Sequence, residues 1–239
     1  MLRLLLTCEH GGNNIPAAYE ALFKGHEDVL NTHRGYDIGA LELFDSMKSV
    51  ADVHFYSETT RLLVELNRSV GHPKLFSEFS GVLPEKDRER LLQLHYRPYR
   101  DKVEHMIQDF VSAGRRVLHI SVHSFTPVLD GEERNADIGL LYDPKRKPEQ
   151  AFCRQWKKKL QQKDKDLLVR FNYPYLGIAD GLPSYLRRKF TGDQYIGIEL
   201  EVNQKFPEQD SDKWEQLKIL LTGTVKELIE ENRNEFSNS

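Results

Sequence analysis

Cysteine is scarce: of 239 residues only Cys8 and Cys153 are cysteines. They stand far apart and outside any metal-type spacing, which excludes a disulfide scaffold and a thiolate metal site and predicts two reduced thiols. Long apolar runs are missing too, and nothing approaches the ~20 apolar residues that a membrane-spanning helix needs. The opening Met1-Leu2-Arg3-Leu4-Leu5-Leu6 is too short for an export signal, and Glu9-His10 interrupts it. Neither sign of charge is in excess. The 34 Lys and Arg are interspersed with 37 Asp and Glu, a net charge of −3, which offers no broad surface to nucleic acid or to an anionic membrane. No repeat, low-complexity linker or composition shift divides the chain. These absences predict a soluble cytoplasmic protein with one domain over residues 1–239, its polar end 233–239 frayed. A domain of this size buries most of its unfolded surface and needs no staples.

What the chain does have is a series of short apolar runs. Leu2 to Thr7, Val53 to Tyr56, Arg61 to Leu66, Val117 to Val122, Ala136 to Tyr142, Leu167 to Phe171 and Tyr195 to Val202 read as strands. Runs this continuous belong to a sheet covered on both faces. Between them lie helical patterns. Asn31 and Thr32 can cap a helix through about Lys48, with apolar positions at Ile38, Leu41, Leu43, Phe44 and Met47. A second helix runs from about Glu85 to Ala113, kinked or broken at Pro98 and stopped by Gly114. A basic helix spans Pro148 to Gln162, and an amphipathic one spans Lys213 to Asn232. The mixed stretch Gly71 to Pro84 reads as a loop over one edge of the site. The alternation predicts a single α/β domain: a central mixed, mostly parallel sheet with helices on both faces.

Polar residues cluster where the strands end, and ligands of α/β sheets bind at the carboxyl ends of strands. His10 follows the first strand and precedes Gly11-Gly12, which let the backbone turn sharply; His123-Ser124 follows Val122. Two imidazoles at strand ends suggest a metal, and zinc in hydrolases takes three protein ligands, often two His and a carboxylate, with a position left for water. The early carboxylates are Glu9 and Asp37. Glu9 faces away from His10 if strand alternation persists, whereas His33, four residues before Asp37, can share a helix face with it and is a substitute ligand. Glu199 and Glu201 alternate along an apolar strand and so point to one side. Buried carboxylates are expensive unless paired or metal-associated, so these two suggest a general base with a supporting acid; the plainer alternative is an ion pair to a nearby Arg or Lys. Arg61 and Asn67-Arg68 supply a positive pole able to hold a carboxylate bidentately, with Arg134 as a second anion candidate. The cluster Tyr96-Arg97-Pro98-Tyr99-Arg100 reads as helix packing, and Lys157-Lys158-Lys159 as a solvated helix face.

The ordered series His10-Gly11-Gly12, Ile15-Pro16, Tyr36-Asp37-Ile38-Gly39, Arg61, Glu65-Leu66-Asn67-Arg68, Pro98-Tyr99-Arg100 and His123-Ser124 resembles the N-formylglutamate amidohydrolase family. The series continues through Arg134, Asp137-Ile138-Gly139-Leu140-Leu141-Tyr142, Asn172-Tyr173-Pro174-Tyr175 and Glu199-Leu200-Glu201, covering roughly residues 5 to 205. The chain departs from the pattern at Gly11, where many relatives have Ser, at Glu65, where they have Asp, and in a more acidic segment around Glu199. The resemblance implies a phosphorylase/hydrolase-like fold sharing the layout of zinc carboxypeptidases and N-acetylmuramoyl-L-alanine amidases. It implies one zinc per chain, replaceable by another divalent metal, on His10, Asp37 and His123. It implies Glu201 as the catalytic carboxylate and Asn67-Arg68 as the grip on a substrate carboxylate, assisted by Arg61 or Arg134 and buttressed by Glu199. The activity expected is hydrolysis of a linear amide in a small N-acyl amino acid, as in deformylation of N-formylglutamate to glutamate and formate. A zinc peptidase or peptidoglycan amidase is the neighbouring alternative, and a metal-free carboxylate-binding protein is the alternative of another class.

Overall fold

Alternation along β1, Leu2–Cys8, sends Leu2, Leu4, Leu6 and Cys8 into one hydrophobic cluster and Leu5 into another. The same division holds along β3, Arg116–Phe125, and β8, Tyr195–Asn203. Leu118, Ile120 and Val122 face the first cluster together with Ile196, Ile198, Leu200 and Val202, while Val117 and Tyr195 face the second. The computed structural model describes residues 1–235, with side chains through Arg233. Both faces of the sheet are covered, so every strand residue from Tyr195 to Asn203 is buried.

The main sheet has six strands in the order β2-β1-β3-β8-β6-β7, where β2 is Val53–Tyr56, β6 is Ile138–Leu141 and β7 is Val169–Phe171. The first four positions run parallel; β6 is antiparallel to β8, and β7 follows β6 in parallel. This is the mixed, mostly parallel sheet predicted. A small hairpin, β4 at Val128–Leu129 and β5 at Glu132–Glu133, projects from the end of β3.

Helices α1, Ala40–Met47, α4, Lys147–Lys163, and α7, Ser211–Glu235, cover the first face. On α7 the apolar residues Trp214, Leu217, Leu221, Val225 and Leu228 recur at helical spacing, and all are buried. Each buried aliphatic side chain of this kind contributes about 1.5–3 kcal/mol. The second face carries α3, Arg97–Ser112, and α5, Leu182–Lys189, through Val103, Ile107, Leu182 and Leu186. The remaining short α-helices among the described residues are α2, Glu85–Leu91, and α6, Lys205–Gln209.

Four expectations change. The run Arg61–Leu66 is not a strand but a buried series of turns. Leu62, Leu63, Val64 and Leu66 fill a separate cluster with Phe23, Leu75, Leu91, Leu92 and Tyr96, and the backbone is satisfied locally: Leu63 N–H donates to Thr60 O, Glu65 N–H to Leu75 O and Arg68 N–H to Glu65 O. The first helix starts at Ala40 rather than near Asn31, because Gly35 lies against Leu30 O and Gly39 takes a left-handed φ of 79°. Asp37 therefore precedes the helix, its carbonyl accepting Ala40 N–H. The long helix expected from Glu85 is divided by one π turn at Leu92–Tyr96, just ahead of Pro98, so the break falls one turn earlier than predicted. At the chain end, Arg233 is part of α7 and donates from Nε to Leu2 O at 3.1 Å; residues 236–239 of the expected tail lie outside the described residues.

Candidate metal centre and substrate cavity

Because β3 and β8 run in parallel register, Ser121 pairs with Glu199 and His123 with Glu201, and these side chains share the face of the sheet that carries α3 and α5. β1 ends beside them, and the turn after it delivers Glu9 and His10. Asp37 reaches the same point from the turn before α1, held by a hydrogen bond from its N–H to His10 O at 3.0 Å. These residues thus meet at the carboxyl ends of the central strands.

His10, Asp37 and His123 are all buried, and one ligand atom from each lies within 4.8 Å of the others. Both imidazoles turn Nδ1 toward the same oxygen, Asp37 Oδ2, at 3.2 Å from His10 and 2.9 Å from His123. Each ring is held from behind through Nε2. His10 Nε2 meets the Glu65 carboxylate; His123 Nε2 lies 2.8 Å from Ser121 Oγ and 3.2 Å from Glu9 Oε2. A carboxylate on the far nitrogen fixes the tautomer and ring orientation of a metal-binding histidine. Two imidazoles and one carboxylate, converging in a buried pocket, match the ligand chemistry of a divalent cation such as zinc.

Electrostatics follow from this crowding. Burial alone would raise the Asp37 carboxyl, but His10 and Arg61 beside it hold it well below the usual range. Glu9 and Glu65 are likewise lowered against their burial, Glu9 by His123 and Glu65 by Arg61 and His10. His123 is buried yet raised well above an ordinary imidazole, because Asp37 and Glu9 both accept from it. Glu201 behaves oppositely. Burial pushes its pKa up to about 8, with Asp37 and Glu199 adding to the push against the opposing pull of His123 and Arg61. Its Oε2 is buried with no hydrogen-bond partner among the described residues. A buried polar atom left unpartnered costs about 1–3 kcal/mol, a cost retained only where something else requires it.

A cavity of about 330 Å³ opens over these groups, lined by His10, Asp37, His123, Glu199, Glu201 and Arg68 among others. Arg68 lines it without a direct ion pair among the described residues, though its charge helps lower the nearby Asp180 carboxyl, and its Nη1 is anchored on Asn67 O at 2.9 Å and Asp180 O at 2.7 Å. Asn67 also lines it, but its amide is engaged: Nδ2 donates to Glu199 Oε1 at 3.0 Å and Oδ1 accepts Leu182 N–H at 2.6 Å. Glu199 therefore braces Asn67.

Two arginines differ from their expected role. Arg61 gives Nη1 to Asp37 at 2.9 Å and both Nε and Nη2 to Glu65 Oε2 at 2.8 and 2.6 Å, so its guanidinium is taken up by the protein's own carboxylates. Arg134 does not line the cavity; it lies over the Tyr175 ring at 5.0 Å and donates to its hydroxyl at 3.0 Å. Tyr175 does line the cavity. His33, the substitute ligand, is exposed and stands outside the cluster. Glu9 is near but bonded to His123, Ser121 and Tyr99 rather than grouped with the ligand set. The sequence reading passed over Glu65 as a site residue, although its spacing four residues after Arg61 was a signal that the two could pair.

No helix among the described residues is long and apolar enough to cross a membrane. A comparison of the sequence with curated proteins gives no match. Among solved structures, the chain is similar to the gene product Atu2144 from Agrobacterium tumefaciens, with 26% identity and a TM-score of 0.77 over 98% of this chain and 91% of that one. It also shares its fold with N-formylglutamate amidohydrolase from Ralstonia eutropha JMP134, at 16% identity and a TM-score of 0.70 over 98% and 94% of the two chains. The family profile described as N-formylglutamate amidohydrolase matches residues 2–206, which take in the three candidate ligands, Arg68 and Glu201. The chain belongs to the N-formylglutamate amidohydrolase family.

Proposed function

We propose that this protein hydrolyses the amide bond of a small N-acyl amino acid that bears a free carboxylate, a substrate of the N-formylglutamate kind, and that its resident metal is zinc. The observation that carries this reading is Glu201: a buried carboxyl with one oxygen unpartnered among the described residues, in strand register with His123 and lining the cavity that Arg68 also lines. A protein built only to bind carboxylates gains nothing from a buried acid beside its ligand.

Zinc, or another divalent cation such as manganese or cobalt, would be held by His10, Asp37 and His123, and when bound it lowers the pKa of water and polarises an amide carbonyl. Glu201 takes a proton from the attacking water and returns it to the leaving nitrogen as the C–N bond breaks. Arg68 receives the substrate carboxylate and fixes the amide over the reacting centre. Asn67, held by Glu199 and the start of α5, keeps the backbone of Arg68 in place. Arg61 offsets the charge of Asp37 and Glu65, and Glu9 and Glu65 keep the two imidazoles turned toward Asp37.

Elemental analysis of purified wild type and Asp37→Ala tests the metal. About one zinc per chain in the wild type, lost in Asp37→Ala together with chelator-sensitive amide hydrolysis, is expected. Full metal and full activity in Asp37→Ala would remove Asp37 from the centre.

A further inference from the structure

The cavity over the candidate metal centre is not the whole of the binding space. A second chamber of about 470 Å³ adjoins it, and Asp37, Arg61, Glu65, Lys74 and Tyr175 line both. Asp37, a candidate metal ligand, therefore stands at the junction. Arg68, Glu199 and Glu201 line only the inner chamber; His33, Phe76, Phe125 and Thr126 line only the outer one.

This arrangement fixes the direction of a substrate. With its amino-acid carboxylate on Arg68 and its amide between Asp37 and Glu201, the acyl group points outward across the junction. A formyl group is a single carbon and would leave the outer chamber to water. Ligand pockets run from about 300 Å³ upward, so the outer chamber alone is large enough to be a subsite.

The charges lining that chamber indicate what it accepts. Arg61 is paired with Asp37 and Glu65, and Arg34 is paired with Glu78. Lys74, which faces both chambers, has no acidic partner among the described residues, and neither has His33. Arg34, Arg61 and Lys74 balance Asp37, Glu65 and Glu78 along this lining, but the exposed Lys74 is left outside those ion pairs, and an ammonium with no carboxylate of its own at the junction favours an anionic group.

We propose that the outer chamber is an acyl subsite and that this chain acts on N-acyl amino acids whose acyl group is longer than formyl and ends in a carboxylate received by Lys74. The inference rests on the amide-hydrolase reading above and deepens it. The reaction is hydrolysis with one water: the water oxygen bonds to the acyl carbon, the C–N bond breaks, and the proton taken up by Glu201 passes to the amine. A dicarboxylic acid and a free amino acid leave.

The test compares kcat/KM of the zinc-loaded full chain on N-formyl-, N-butanoyl- and N-succinyl-L-glutamate, the last two matched in chain length and differing in the terminal carboxylate. The succinyl substrate is expected to exceed both others by about 10-fold, in line with a hydrogen bond to a charged group. Lys74→Ala should erase that preference, and Lys74→Arg should restore most of it. Formyl as the best substrate overturns the acyl subsite. Equal rates for the succinyl and butanoyl compounds, or an equal loss on all three in Lys74→Ala, overturns the role of Lys74. Turnover of none of the three overturns the amide-hydrolase reading itself, a result distinct from turnover of the formyl compound alone.

Discussion

Glu201 keeps one carboxyl oxygen out of water with no hydrogen-bond partner among the described residues, and its pKa is pushed up to about 8, by burial first and then by Asp37 and Glu199. In an unfolded chain the same group titrates near 4.5. Between those values the native protein holds a proton that the unfolded chain has already lost, so stability is highest below the lower value and falls as pH rises toward the upper one. Glu201→Gln removes this dependence. In chelator-treated protein its advantage over wild type is expected to grow from near zero at about pH 5 to on the order of 2–4 kcal/mol at about pH 8, read from urea midpoints. A difference that stays flat across that range would mean that the carboxyl is solvated. At this scale much of the candidate site was legible: His10, Asp37, His123 and Glu201 carry chemistry that stands out against apolar runs, and the structure gathers them in one cavity. Glu9 was not legible. Its orientation was argued from strand alternation, but β1 ends at Cys8, and one turn brings both Glu9 and His10 to His123.

Among the elements, the segment that misled is also one that builds the site. Arg61–Leu66 is as apolar as a strand, and a hydrophobic run records burial without saying whether backbone partners lie in a sheet or in turns. Here they lie in turns, which frees Arg61, Glu65, Asn67 and Arg68 to point into the cavity instead of alternating across a sheet. A second arrangement beyond the reach of sequence joins α4, α5 and β8. Glu149 and Arg187 form a buried ion pair at 3.0 Å; Arg187 also donates to Gly197 O at 2.8 Å, and Glu149 accepts from Gly197 N–H at 3.1 Å. Nothing in the spacing of residues 149 and 187 announces that partnership. Arg187→Ala would strip the buried Glu149, already raised by its burial, of its counter-charge and leave its carboxyl to be protonated or strained in the core, and a loss of about 3–5 kcal/mol is expected by denaturant unfolding. A change below about 1 kcal/mol would show that water reaches the pair.

For the whole molecule, the alternation of strands and helices was enough to foresee a single mixed sheet covered on both faces, because continuous apolar strands demand two covers. The reversal at β6 and β7 was not foreseeable, since a run of apolar residues carries no direction. The division of labour between faces follows from the sheet itself. One face is mostly apolar under α1, α4 and α7, and the other trades apolar for polar residues toward the strand ends, where Ser121, His123, Glu199 and Glu201 replace packing with chemistry. The most direct measurement is glutamate release from N-formylglutamate and its longer N-acyl analogues by zinc-loaded wild type and Glu201→Gln at matched metal content. Chelator-sensitive turnover by the wild type, with a fall of about 10²- to 10⁴-fold in kcat for Glu201→Gln at unchanged zinc, is the expected result. Equal turnover by the two proteins, or none by the zinc-loaded wild type on any of these amides, would contradict metal-dependent amide hydrolysis with Glu201 as its base.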